Sequence, residues 1–150
     1  MAEWGDDTTG LRAGWARTPE QEHSEAIFPT SSFTFRNAAE AAARFSGEAP
    51  GNIYARFTNP TIEATEARLA AIEDAPCLLF PSGMGAYSAA FVALLKGGDK
   101  VLMLSDGYYA ARNLVSDIMA PFGVSLETCP AVDILSADLA GYAAVVVETP

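Results

Sequence analysis

Between residues 76 and 147, short apolar runs alternate with small-residue turns and helix-length segments, and this rhythm restricts the fold more than any other feature of the chain. Cys77-Leu78-Leu79-Phe80 is a candidate strand, Pro81-Ser82-Gly83 a turn, and Met84 to Lys96 a helix closed by Gly97-Gly98. The pattern repeats with strand Val101-Leu102-Met103-Leu104, turn Ser105-Asp106-Gly107 and a helix from Tyr108 to about Ala120, ended by Pro121 and Gly123. Val124 to Leu126 and Ala143 to Val147 supply further strands. Strand, turn, helix and strand in this order predict an α/β fold with a mainly parallel sheet.

The preceding half is less regular. Residues 1–25 are polar, with Gly5, Gly10, Gly14 and Pro19 scattered through them, and read as an irregular arm. Ile27 to Phe35 is β-prone, but Pro29 interrupts it, which predicts extended chain rather than a central strand. Asn37 is placed to cap a short helix to about Phe45, with Glu40 three residues on. Residues 46–52 form a loop by composition. Asn59-Pro60-Thr61 opens another helix, in which Ile62, Thr65, Leu69 and Ile72 predict one buried stripe and Pro76 a stop.

Half of the 150 residues are hydrophobic, enough for one domain with its own core. The net charge of -10 argues against a nucleic-acid partner. Cys77 and Cys129 lie far apart and read as free thiols of a reducing compartment, so a cytoplasmic location is expected. No run is long enough to span a bilayer, and Met1 to Thr9 lacks the apolar core of a signal peptide. The single histidine, His23, lies in the polar arm and gives no metal site.

Three segments could carry chemistry. In Phe80-Pro81-Ser82-Gly83-Met84-Gly85 a strand enters a helix through a small-residue turn. The first N–H groups of such a helix lack partners and converge, with the helix dipole, on an anion such as phosphate. The same string also reads as an ordinary strand-to-helix turn; it is neither a P-loop nor a Rossmann fingerprint. In Tyr54-Ala55-Arg56, two residues of spacing projects Tyr54 and Arg56 the same way in an extended segment, offering a hydroxyl and forked donors to a phosphate. The alternative there is a solvated arginine beside a half-buried tyrosine. Tyr108 and Tyr109 begin a helix after a parallel strand, where ligands of open α/β sheets bind and where a ring can stack on a planar cofactor. Core packing of one of the two is the other reading.

Taken in order, Tyr54-Ala55-Arg56, Asn59-Pro60-Thr61, Ser82-Gly83-Met84, Gly98-Asp99-Lys100-Val101-Leu102 and Glu148-Thr149-Pro150 resemble the signature of the cysteine and methionine metabolism family of pyridoxal-phosphate enzymes. The resemblance runs from about residue 11 to the end. Arg17-Thr18-Pro19-Glu20, Phe33-Thr34-Phe35-Arg36 and Gly47-Glu48-Ala49-Pro50-Gly51-Asn52 are similar to the O-succinylhomoserine sulfhydrylase branch.

The resemblance implies a fold-type I (aspartate aminotransferase-like) architecture, with residues 1–50 as an N-terminal arm and short helix and residues 51–150 as the first part of the cofactor-binding large domain. It implies pyridoxal 5′-phosphate as cofactor, its phosphate on the backbone N–H groups of Gly83 and Met84. It makes Tyr108 the ring-stacking residue that also assists proton movement. Tyr54 and Arg56 would reach the phosphate of a neighbouring subunit in a dimer or tetramer. The implied reaction is γ-replacement, with succinate leaving O-succinylhomoserine, sulfide adding and homocysteine as product. Cystathionine γ-synthase, cystathionine γ-lyase and O-acetylhomoserine sulfhydrylase are the alternatives within the family, and a non-catalytic phosphate-binding or subunit-pairing fragment is the alternative outside it. The family's Schiff-base lysine is expected downstream of Pro150, because Lys96 and Lys100 lie outside its Ser-x-Thr-Lys motif; the chain by itself is therefore expected to be inactive. Tyr109-Ala110-Ala111 departs from the Gly-x-Thr that relatives often carry at this loop.

Overall fold

The structure, a computed structural model, describes residues 4–149. Met1 to Glu3 of the expected arm, and Pro150 of the Glu148-Thr149-Pro150 string, lie outside the described residues. The chain divides into two compact units, Met1–Leu79 and Phe80–Pro150.

In the first unit the arm is not wholly irregular, for it contains helix α1 (Asp6–Arg12). Asp6 and Asp7 sit in its first turn and Arg12 in its last, which complements the helix dipole. Its interior Gly10 and flanking Gly14 hid this helix from a propensity reading. The chain leaves α1 through Gly14, at φ +73°, where a Cβ would stand 2.3 Å from the Ala64 carbonyl oxygen. Only glycine allows so close a pass.

Helix α2 (Ala38–Phe45) starts at Asn37, whose Oδ1 accepts the Glu40 N–H at 2.8 Å. Glu40 reaches back one residue further than a capping box requires, to the Arg36 N–H at 2.7 Å. It also pairs with the Arg36 and Arg44 side chains at 3.2 and 2.8 Å. Helix α3 (Pro60–Glu73) is capped by Asn59, whose Oδ1 accepts the Thr61 N–H at 2.9 Å. It ends at Asp74, which takes a left-handed φ of 51° two residues before Pro76.

The predicted buried stripe on α3 is not buried. Ile62, Thr65 and Ile72 are exposed, and only Leu69 is half-buried. Gly14 lies against Ala64 and Ala67, and α1 meets the tip of Ile72 at Gly10, which leaves Ile62, Thr65 and Ile72 exposed. Among the described residues of the unit, Asn59 alone is fully buried. The Ile27 to Phe35 segment is extended without being a strand of a sheet, making one antiparallel bridge from Ser32 to Tyr54.

The second unit holds the core. Strands β1 (Lys100–Leu104), β2 (Ser125–Cys129) and β3 (Ala144–Val146) form a sheet of order β2-β1-β3 with both pairings parallel. Val101 to Leu104 are buried without alternation, as expected of a central parallel strand covered on both faces. Phe91, Val101, Met103, Ala111, Val115, Met119 and Val124 form the apolar cluster.

Three elements differ from those the sequence predicts. Cys77 to Phe80 is not a strand: no partner strand runs beside it, and the Leu79 N–H donates to the Glu66 carboxylate at 2.8 Å instead. Helix α4 (Gly83–Leu94) stops two residues before Lys96, because Asp99 takes the Lys96 N–H at 2.9 Å and turns the chain. The single helix expected from Tyr108 to Ala120 is instead α5 (Tyr109–Asn113), a π-helical stretch (Leu114–Met119) and a 3₁₀ turn (Ala120–Phe122). Pro121 has no N–H to continue an α-helical ladder, and the widened turn still buries Val115 and Met119.

Candidate active site

Ser82 ends the segment that enters α4 in an extended conformation, and its Oγ accepts the Gly85 N–H at 3.0 Å. The Ala86 N–H donates to the Ser82 carbonyl at 3.1 Å. Gly83 and Met84, at the first two helical positions, have no carbonyl one turn earlier to take their N–H groups. A Cβ built at Gly83 would meet nothing within 4 Å, so the backbone there is open to approach. Free paired amides backed by the positive end of a twelve-residue helix suit a dianionic phosphate.

The loop after β1 is held from two sides. Arg112 Nη1 donates to the Leu104 carbonyl at 3.2 Å and to that of Gly107. Two residues past the end of β3, Glu148 presents both carboxylate oxygens: Oε2 accepts the Tyr108 backbone N–H at 2.8 Å, and Oε1 accepts the Tyr87 hydroxyl of α4 at 3.2 Å. Burial first, then the bond to Glu148 and its charge, push the Tyr87 phenol above its ordinary pKa. Asp106 Oδ1 takes the Ala131 N–H at 3.0 Å. A pocket of about 270 Å³ opens here at the carboxyl end of β1, lined by Leu104, Asp106, Gly107, Ala131, Glu148 and Thr149.

Tyr108 and Tyr109 both remain exposed, at 48% and 63%, with their rings edge to face at 5.4 Å. The expectation that one of them packs into the core is therefore wrong. Ala111 and Val115, one and two turns on, fill that place. An exposed Tyr108 ring at a strand's carboxyl end remains free to cover a planar ligand.

Tyr54 and Arg56 belong to the first unit. They do not lie in an extended segment: the Phe57 and Thr58 N–H groups both bond the Tyr54 carbonyl, closing a turn. The turn still brings the pair together, with the Arg56 guanidinium 5.3 Å from the Tyr54 ring centre and 5.5 Å from that of Phe57. The Lys100 ammonium is paired with Glu127 at 2.8 Å.

Glu148 and Tyr87 were not singled out from the sequence as site residues. Glu148 stood in a recognisable string, but nothing local says that a residue after β3 reaches the loop after β1. Only the parallel register, Met103 opposite Val146, puts it there. Tyr87 has no sequence signal beyond its place four residues into α4 from Gly83.

An open amide pair at a helix N-terminus and a pocket at the carboxyl end of a parallel strand thus lie in one α/β unit. Residues 7–149 match the family of Cys/Met metabolism PLP-dependent enzymes, and the chain belongs to that family. It is 45% identical over 129 residues to the O-succinylhomoserine sulfhydrylase of Pseudomonas aeruginosa, an overlap of 85% of this chain and 32% of that one. It is 34% identical over 125 residues to the L-methionine gamma-lyase of Pseudomonas putida, covering 80% and 31% of the two chains. The crystal structure of a putative O-acetylhomoserine (thiol)-lyase from Campylobacter jejuni, which carries a pyridoxyl-lysine monophosphate, matches with a TM-score of 0.77 and 30% identity over 89% of this chain and 33% of that one. The fold is thus that of fold-type I pyridoxal-phosphate enzymes over the part spanned, and the chain spans about a third of the length of these relatives. Open amides for a phosphate and an exposed aromatic ring fit that cofactor chemically.

Proposed function

We propose that this chain is the N-terminal portion of a pyridoxal-phosphate-dependent γ-replacement enzyme that makes homocysteine from O-succinylhomoserine and sulfide. The observation that carries the reading is the pair of open amides at Gly83 and Met84, in the same compact unit as the exposed Tyr108 ring. The 45% identity to a sulfhydrylase supports the substrate. Pyridoxal 5′-phosphate, when bound, supplies the electron sink that lets protons leave the substrate's carbon atoms.

The chain's own residues would hold and cover that group. The Gly83 and Met84 N–H groups bind its phosphate. Tyr108 lays its ring over the cofactor plane, excludes water from that face and moves a proton through its hydroxyl. Tyr54 and Arg56 offer a hydroxyl and a forked cation to the phosphate of a neighbouring subunit, so the active form is an oligomer. Cys77 and Cys129, both half-buried and unbridged, suit a cytoplasmic setting. Among the described residues no helix is long and apolar enough to cross a membrane.

A second reading is γ-elimination, favoured by the 34% identity to a methionine lyase. The experiment is a product assay of the purified enzyme. Succinate and homocysteine from O-succinylhomoserine with sulfide support the first reading. Methanethiol from methionine, with no sulfide-dependent homocysteine, replaces it with the second.

A further inference from the structure

We infer that Glu148 is a positioning residue that sets the Tyr108 ring by bracing its backbone, and that the Tyr87 hydroxyl holds Glu148 in place for this. The inference rests on the reading of Tyr108 as the residue that covers the cofactor. It adds two residues to that reading, Glu148 just after β3 and Tyr87 of α4.

Parallel pairing sets Val146 beside Met103, so the residue two places on, with its side chain on the same face, arrives at the turn that follows β1. That residue is Glu148. Its Oε2 lies where a Cβ on Gly107 would be only 3.5 Å away, so the carboxylate touches the turn although the residue as a whole is exposed. There it takes the Tyr108 N–H at 2.8 Å. Tyr108 precedes the first residue of α5, with φ -63° and ψ 115°, and no side chain caps that helix from within. Without Glu148 the Tyr108 N–H loses this acceptor, while Arg112 on the Leu104 and Gly107 carbonyls and the Gly107 N–H on the Leu104 carbonyl still hold the turn before it.

Glu148 does not stand alone. Tyr87 reaches from the second turn of α4 to its other oxygen at 3.2 Å, and the Tyr87 ring is itself packed 5.8 Å from the buried Phe91. The chain of contacts from Phe91 through Tyr87 and Glu148 to Tyr108 thus joins the helix that presents Gly83 and Met84 to the residue that would cover the cofactor ring. A charge-assisted acceptor gripped at both oxygens is a stiff link.

The test is visible circular dichroism of the bound cofactor in the holoenzyme, read together with the rate of cofactor loss. Glu148→Ala is expected to diminish the cofactor signal and to speed loss by about tenfold, the effect of one charge-assisted hydrogen bond. Glu148→Gln is expected to restore most of both, since its amide can accept from Tyr108 and donate to the Tyr87 oxygen. Tyr87→Phe should shift both readouts in the same direction by less. An unchanged signal in Glu148→Ala and Tyr87→Phe, with the signal lost in Tyr108→Ala, overturns the positioning role and leaves the Tyr108 reading standing. An unchanged signal in Tyr108→Ala overturns both. Should Glu148→Ala not fold, Tyr87→Phe decides alone, and an unaltered signal there overturns the inference.

Discussion

The side-chain amide of Asn59 donates to the Phe28 carbonyl at 3.0 Å, across 31 residues of sequence. The same side chain caps α3, and the Thr61 hydroxyl beside it accepts the Phe28 N–H at 2.9 Å. Two residues of the Asn59-Pro60-Thr61 tripeptide thus pin the extended segment at Phe28 to the helix start. Asn59→Ala removes the cap and leaves the Phe28 carbonyl without its partner, so unfolding free energy is expected to fall by ~2 kcal/mol. Urea titration followed by far-UV circular dichroism measures it; a loss under ~0.5 kcal/mol, the scatter of neutral surface changes, would contradict the pinning.

Gly14 is the second fixed point of the arm. Gly14→Ala would force a Cβ against the Ala64 carbonyl at a φ of +73°. Destabilisation of at least ~1 kcal/mol is expected from the left-handed backbone alone, with the clash added to it. Thermal melting of the variant checks this.

Gly83→Ala separates folding from ligand binding. A Cβ at Gly83 meets nothing, and alanine is the better helix former, so stability should hold or rise by up to ~1 kcal/mol. Cofactor affinity should nevertheless fall, because the methyl group crowds the approach of the phosphate to the amides. Unchanged affinity in this variant would argue that the phosphate binds elsewhere.

Arg56→Ala should weaken cofactor retention in the assembled enzyme by ~1.5–3 kcal/mol, the worth of a hydrogen bond to a charged group. Equilibrium dialysis of the cofactor measures it. Equal affinity for variant and parent would remove Arg56 from the phosphate site.

Helix α2 carries a pH signature. Glu40 is held down from 4.5 to about 2, first by the Arg36 side chain, then by the Arg36 N–H, with Arg44 adding to both. A carboxyl group with a lowered folded pKa stabilises the native state above its unfolded value and loses that contribution as the pH falls through the folded one. The contribution of Glu40 is therefore complete above 4.5 and fades between 4.5 and about 2. Carboxyl-carbon NMR should find Glu40 titrating near the lower value, and Arg36→Ala should raise it.

The second unit was legible because its signals are local. The continuous run from Val101 to Leu104, followed by a turn and a helix-length segment, reads as a covered strand, and Ser82 ahead of Gly83 reads as a helix cap. The stripe on α3 was misread because periodicity reports a face fit for burial, not the element that will bury it. Cys77 to Phe80 has strand composition but no neighbour to pair with, and pairing is not a property of the segment. Of the site, Gly83, Met84 and Tyr108 could be found from turn chemistry and family resemblance. Glu148 could not, since its approach to Tyr108, 40 residues earlier in the chain, depends on the register of β1 and β3.

A crystal structure of the protein with pyridoxal 5′-phosphate bound tests the central claim most directly. The account predicts phosphate oxygens within about 3.2 Å of both the Gly83 and Met84 amide nitrogens and the Tyr108 ring lying over the cofactor plane. A phosphate held away from the start of α4, with Tyr108 turned to solvent, would contradict it.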